Sequence, residues 1–277
     1  MGGNPKRGPL DVGANKPVID RGTLIRQPSP SRRTSKDDFD LCFPLPIRST
    51  GYQKKGMEFG HGRGRRKHAG CDLPAREKTK VLAMQNGTVV GYKENFLIIT
   101  KIKKGEKGGY YLGFDEQGYN YQNKVTNQKE YLTTEVIDGV KHYILDAKHK
   151  YRREDIFHLH ALAVRHKGFF ELKSGQTCGS IPMAGFIVRY CEINSKLRRG
   201  DPVYRGVPIG EVAMQNLCML HIEMYRGIAE LEGTLREGKL EGTGDYKRRG
   251  DLIDPAPYLD IAVSVVDLPK EGAPTGG

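Results

Sequence analysis

The stretch VLAMQNGTVVGY, residues 81–92, decides the fold class. Its apolar runs are short and rich in valine, and Asn86-Gly87 in the middle is a strong hairpin signal. The same texture recurs on both sides: NFLIITKI at 95–102, FHLHALAVRH at 157–166, GFIVRY at 185–190, DPVYRGVPIGEVA at 201–213 and MLHIEMY at 219–225. Val, Ile, Tyr and Phe dominate these runs, glycine turns separate them, and no heptad repeat is present. The one helix-like stretch, around Gly227 to Gly238, is interrupted by glycines. The expected fold is mainly β, an antiparallel β-sheet domain.

At 277 residues the chain can bury one substantial core or two small ones, and 35 glycines argue against a large helical protein. Residues 1–38 read as a disordered basic tail or linker, 39–262 as the folded domain with an insertion at 103–155, and 263–277 as a Pro- and Gly-rich C-terminal tail. The insertion is polar and rich in Tyr, Lys and Gly; its tyrosines either line a substrate groove or belong to a hairpin that covers a sheet edge. Formal net charge is +12, of which +6 falls on residues 1–36, where Lys6, Arg7, Lys16, Arg21, Arg26, Arg32, Arg33 and Lys36 face only Asp11 and Asp20. Such an excess favours anionic partners: nucleic acid, acidic polymers or a bacterial wall. A nucleic-acid partner is not expected, because no aromatic or helical motif accompanies the charge.

No apolar run approaches the length of a membrane span, and the first residues lack the apolar core of a secretory signal. If the protein works outside the cytoplasm, another machine is expected to carry it there. Five cysteines, Cys42, Cys71, Cys178, Cys191 and Cys218, contain no CxxC pair and read as small buried hydrophobes.

Candidate metal ligands begin with RRKHAGCDL at 65–73, where His68 and Asp72 stand four residues apart in a segment entering a strand. A catalytic zinc site needs three such donors and an open position. His158 and His160 share a strand face and make an attractive half-site, or are simply exposed beside the sheet. His221 lies in a more apolar strand with Met219 and Glu223 on its face, and is either a satisfied core residue or a ligand. Periodicity does not choose between them.

The order of motifs resembles one family: the lysostaphin-like, or LytM-type, zinc endopeptidases of bacterial cell walls. HAGCD at 68–72 is similar to its HxGxD segment, NGTVVGY at 86–92 to a following strand, and MLHIE at 219–223 to its HLHFE-like strand. ALAVRHKG at 161–168, GFIVRYCEI at 185–193, LRRGDPVYRGVPIGEV at 197–212 and DLIDPAPYL at 251–259 extend the likeness over roughly 40 to 260. The resemblance implies zinc as cofactor with His68, Asp72 and His221 as ligands, and leaves the 158–160 pair outside the site. His166 is then a core histidine or one that orients a ligand.

Two positions depart from the family pattern. Met219 stands where the first histidine of the HxH pair is expected, and Glu192, in YCEI, where the catalytic histidine of a YxHL segment is expected. A carboxylate can accept a proton from the attacking water and return it to the leaving amine, so Glu192 is the candidate general base. Its alternative role is a strand-edge charge paired with Arg189 or Lys196.

The resemblance implies a peptidoglycan endopeptidase cutting stem or cross-bridge peptides. It would be either an antibacterial effector toxin delivered by a type VI-like secretion system, with a cognate immunity protein, or a phage-associated lysin. Either would be made in a bacterial cytoplasm and act in the periplasm or wall, in the toxin's case that of a target cell. The competing expectation is a catalytically inactive wall-binding or regulatory module of the same fold.

Overall fold

The computed structural model describes residues 41–166, 170–171, 179–180, 186–227, 242 and 244–267. The N-terminal tail expected over 1–38, Cys178, the helix-like stretch beyond Gly227 and the C-terminal tail beyond Asp267 lie outside them. The architecture is mainly β and antiparallel, as the short valine-rich runs require. Seven strands position the site: β1 (Cys71–Pro74), β2 (Lys80–Leu82), β3 (Gly87–Thr100), β4 (Ile156–His166), β5 (Ile187–Asn194), β6 (Pro208–Val212) and β7 (Met219–Tyr225). β3, β4, β5 and β7 lie side by side, and β6 joins β5 to β2. On its free edge β7 pairs with β1 along 219–222 and with Leu252–Ile253 along 224–225.

Alternation along β7 explains how one strand serves both core and site. Leu220, Ile222 and Met224 enter the main core with Cys71 and Leu73 of β1, Leu162 and Val164 of β4, and Val188 and Tyr190 of β5. His221, Glu223 and Tyr225 therefore fall on the opposite face. Each of the large apolar residues contributes about 1.5–3 kcal/mol by burial, and a slip of one residue would move the polar set into the core, so the register is firmly specified. Leu41, Phe43 and Leu45, with Tyr258 and Leu259 of the short helix α1 (Ala256–Ile261), close the core. Val263, expected at the start of the tail, still exchanges backbone hydrogen bonds with Leu41 and Phe43.

Asn86-Gly87 does not make the hairpin its sequence signals. β2 pairs with β6 and β3 pairs with β4, so the strands on either side of the turn part company. Asn86 Oδ1 instead accepts the Arg205 backbone N–H, and a Cβ on Gly87 would stand 2.3 Å from Arg165 O. Glycine is required there by close backbone approach to β4, not by turn geometry.

The insertion is ordered. Tyr111–Asp115, Gly118–Gln122 and Lys129–Tyr131 extend the sheet beyond β3 as a meander, and Thr133–Ile137, Val140–Ile144 and Lys150–Tyr151 form a separate small sheet. Leu112, Tyr119 and Tyr151 pack with Ile98 and Ile156 into a second core, so most of its tyrosines are structural. The edge-covering reading of the insertion is the one observed. No helix among the described residues is long and apolar enough to cross a membrane.

Candidate metal centre

His221 and Asp72 are cross-strand partners on β7 and β1, which places their side chains on one face at the closest lateral spacing a sheet offers. His68 enters from the preceding segment, tied by its backbone N–H to His61 O and by its carbonyl to the Gly60 N–H. Gly70 lets β1 lie this near, since a Cβ there would sit 2.1 Å from Ile222 O. The result is a buried triangle. His68 Nε2 lies 3.1 Å from Asp72 Oδ1 and 3.1 Å from His221 Nδ1, and His221 Nδ1 lies 2.6 Å from Asp72 Oδ1. All three residues are at most 7% exposed.

The outer ring atoms say what the inner ones are for. His68 Nδ1 donates to Glu58 O at 2.8 Å, and His221 Nε2 faces Glu223 Oε1 at 3.3 Å. With both outer nitrogens protonated, each neutral ring turns a lone pair inward, beside a carboxylate oxygen. Such a set is satisfied by a shared cation, by extra protons or, in part, by the Arg63 Nη2 donor 3.3 Å from His68 Nε2. Burial alone would lower the His221 pKa, but the hydrogen bonds and charges of Asp72 and Glu223 push it up to about 9. Burial likewise opposes the ionised form of Asp72, yet the two histidines hold its carboxyl far below the usual range. Two imidazole nitrogens and one carboxylate oxygen are the donors zinc takes in hydrolytic sites, and tetrahedral coordination separates such donors by about 3.4 Å. The donor types are those of a zinc site and the three residues could hold a metal; their separations here are those of hydrogen-bonded groups and would open by about 0.3–0.8 Å around such an ion. The outer contacts are of the kind that orient metal-bound histidines.

No protein-family model matches the chain, and no curated protein matches it. The site therefore has to be read from its own geometry.

Glu192 stands at a break in β5. Ala161 of β4 faces Cys191 while His160 faces Ile193, so Glu192 is the extra residue of a bulge. It holds φ at +65°, a left-handed conformation that costs a non-glycine residue about 1–2 kcal/mol. Strict alternation would turn Glu192 away from Cys191 and hence from His221; a bulge re-aims it. Its carboxylate stands in the electrostatic field of His221, Asp72 and Arg63 and accepts Gln215 Nε2 at 2.6 Å. Burial pushes its pKa up, against the opposing pull of His221 and Gln215. Of the two partners that a strand-edge role would give it, Arg189 pairs instead with Glu223 at 3.3 Å. Met219, half-buried, offers only a thioether at its position.

The remaining candidates fall elsewhere. His158 is held by Asn95 Oδ1 at 2.7 Å and the Tyr119 hydroxyl at 2.9 Å, and His160 by the Tyr92 hydroxyl at 3.1 Å, so this pair does not join the triangle. His166 is a core histidine: the Met84 N–H donates to the Tyr190 hydroxyl, whose own hydrogen is free to meet His166 Nε2 at 3.0 Å. Cys42, Cys71 and Cys191 are buried free thiols, and burial pushes Cys71 up to about 12.

Two parts of the site exceed what the sequence reading assigned. Glu223 is a fully buried hub that accepts from Arg248 Nε at 2.7 Å, the Tyr225 hydroxyl at 2.6 Å and Arg189, besides meeting His221. Burial would raise its pKa, but His221 and the two arginines hold it well below the ordinary range. Arg63 was hidden in a run of basic residues. Its Nη2 donates to Asp72 Oδ2 at 2.5 Å and to Gly56 O at 2.8 Å, and lies 3.3 Å from His68 Nε2.

Proposed function

We propose that this chain is a zinc-dependent endopeptidase of the lysostaphin-like type, hydrolysing peptide bonds in the stem or cross-bridge of peptidoglycan. The observation that carries the proposal is the buried His68–Asp72–His221 triangle, with both rings held by acceptors on their far sides. A zinc ion bound there would polarise the scissile carbonyl and lower the pKa of water at its open position. Glu192 takes the proton of the attacking water and returns it to the leaving amine; its raised pKa brings it nearer the working pH, where such a relay is efficient. Glu223 fixes the His221 ring, and Arg63 fixes Asp72 through the oxygen that the triangle leaves over.

The net positive charge of the sequence favours an anionic wall as the partner. Delivery as a type VI-like effector toxin matched by an immunity protein, or as a phage lysin, belongs to the same proposal, as does action in the periplasm or wall. The test is purified protein on peptidoglycan sacculi with and without a chelator, alongside metal analysis. Chelator-sensitive release of cut peptides is expected. Binding to sacculi without release would identify an inactive wall-binding module instead.

A further inference from the structure

The hairpin just before His68 sets two arginines opposite each other, and among the described residues only one of them has an acidic partner. Gly62–Arg63 pairs with Arg66–Lys67, and the register sets Arg63 directly opposite Arg66 and Gly62 opposite Lys67. Opposed residues share a face, and like charges set this way destabilise a hairpin unless neutralised; Asp72 neutralises Arg63 and leaves Arg66 without an ion pair among the described residues. On the other face the charge is neutralised, since Lys67 pairs with Asp245 at 3.0 Å. Among the described residues no ion pair or hydrogen bond is made by the Arg66 side chain. Glu223 lies in its field but is already occupied by Arg189, Arg248, Tyr225 and His221.

Arg63 is only partly committed. Its Nη2 is spent on Asp72 and Gly56 O, whereas Nη1 and Nε have no partner among the described residues. Its side chain is 37% exposed, so those donors border solvent beside the metal triangle. The insertion brings Tyr111, 68% exposed, into the field of Arg66 from a separate part of the chain.

We propose that Arg63 and Arg66 form a carboxylate-binding subsite beside the metal centre, so that the bond cut lies next to a residue bearing a free carboxylate. Planar guanidinium forks match a carboxylate in two-point hydrogen bonding. An incoming carboxylate relieves the opposed charges of the hairpin, and through Arg63 it touches the same guanidinium that orients Asp72. The peptide nature of the ligand rests on the peptidase reading; its charge rests on the hairpin alone.

The test measures binding separately from cleavage. A fluorescein-labelled peptidoglycan stem peptide with free carboxylates is compared by anisotropy with the same peptide amidated at those carboxylates, on zinc-loaded and on chelated protein. The free acid is expected to bind roughly tenfold or more tightly than the amide. Arg66→Ala and Arg63→Lys, checked for zinc content and circular dichroism, are expected to lose that discrimination, and Lys67→Ala to keep it. Equal binding of acid and amide, or discrimination undiminished in both arginine variants, overturns the subsite. Discrimination without any cleavage, by contrast, upholds the subsite and removes the peptidase reading.

Discussion

Replacing Gly70 by alanine places a methyl carbon 2.1 Å from the Ile222 carbonyl oxygen and 2.9 Å from His221 Cε1. The first distance is about 1.3 Å inside ordinary contact, which begins near 3.4 Å. Both obstacles are in β7, one of them backbone, so β1 and β7 have to part by about that amount at the pair that sets His221 opposite Asp72. Metal–ligand distances lie within about 0.2 Å of their ordinary values, so a parting of that size has to be made up by the ligand side chains. Gly70→Ala is therefore expected to weaken zinc binding roughly ten- to a hundredfold and to cost about 1–3 kcal/mol of stability. Competition against a chromogenic chelator reads the affinity, and urea unfolding reads the stability. Gly62→Ala is the control, because a Cβ there meets nothing within 4 Å. A folded Gly70→Ala protein that binds zinc as tightly as the parent would show that the β1–β7 approach does not govern the site.

His166, fully buried, has its pKa lowered by burial from 6.5 to about 4. The unfolded chain therefore binds the extra proton first, and stability falls as pH drops from about 6.5 to about 4, by about 3 kcal/mol from this residue. His166→Gln should lose that part of the slope in denaturation curves between pH 4.5 and 7.5; an unchanged slope contradicts the assignment. Glu192→Gln should abolish peptide release while zinc stays bound, whereas Glu192→Gly should raise the unfolding free energy by about 1 kcal/mol by relieving the φ of +65°. Loss of stability in the glycine variant would argue that the bulge carries no strain. Glu223→Gln leaves Arg189 and Arg248 buried without their carboxylate and should cost about 3–5 kcal/mol in urea denaturation; a cost under about 1 kcal/mol would deny the hub its role.

The strands were legible because each is a short run bounded by glycines, and β7 announced its two faces through alternation. The His68–Asp72–His221 triangle was legible only through the order of motifs along the chain. No local pattern pairs residue 72 with residue 221, and that pairing is a product of sheet register. The same distance dependence defeated Asn86-Gly87, whose local turn preference yielded to longer-range pairing with β4 and β6. Arg63 had no sequence signature, being one guanidinium among several in GHGRGRRKH, and only the hairpin register singles it out. The bulge at Glu192 was equally silent, because nothing in RYCEIN marks an extra residue. Histidines 158 and 160 looked convergent by period two, but the tyrosine hydroxyls that occupy them come from β3 and the insertion, positions far away in sequence.

The insertion leaves the sheet at the end of β3 and returns at the start of β4, and the Lys101 N–H donates to Asp155 O at 2.7 Å, so its entry and exit are clasped together. A segment of about fifty residues thus enters and leaves at two adjacent points, and it docks on the β3 edge and on Ile98 and Ile156, away from the strands β1 and β7 that carry Asp72 and His221. Joined this way, it is an exchangeable cassette. Changes in its length or sequence are absorbed at that edge, provided Ile98 and Ile156 stay covered, without moving the β1–β7 pairing that sets His221 opposite Asp72.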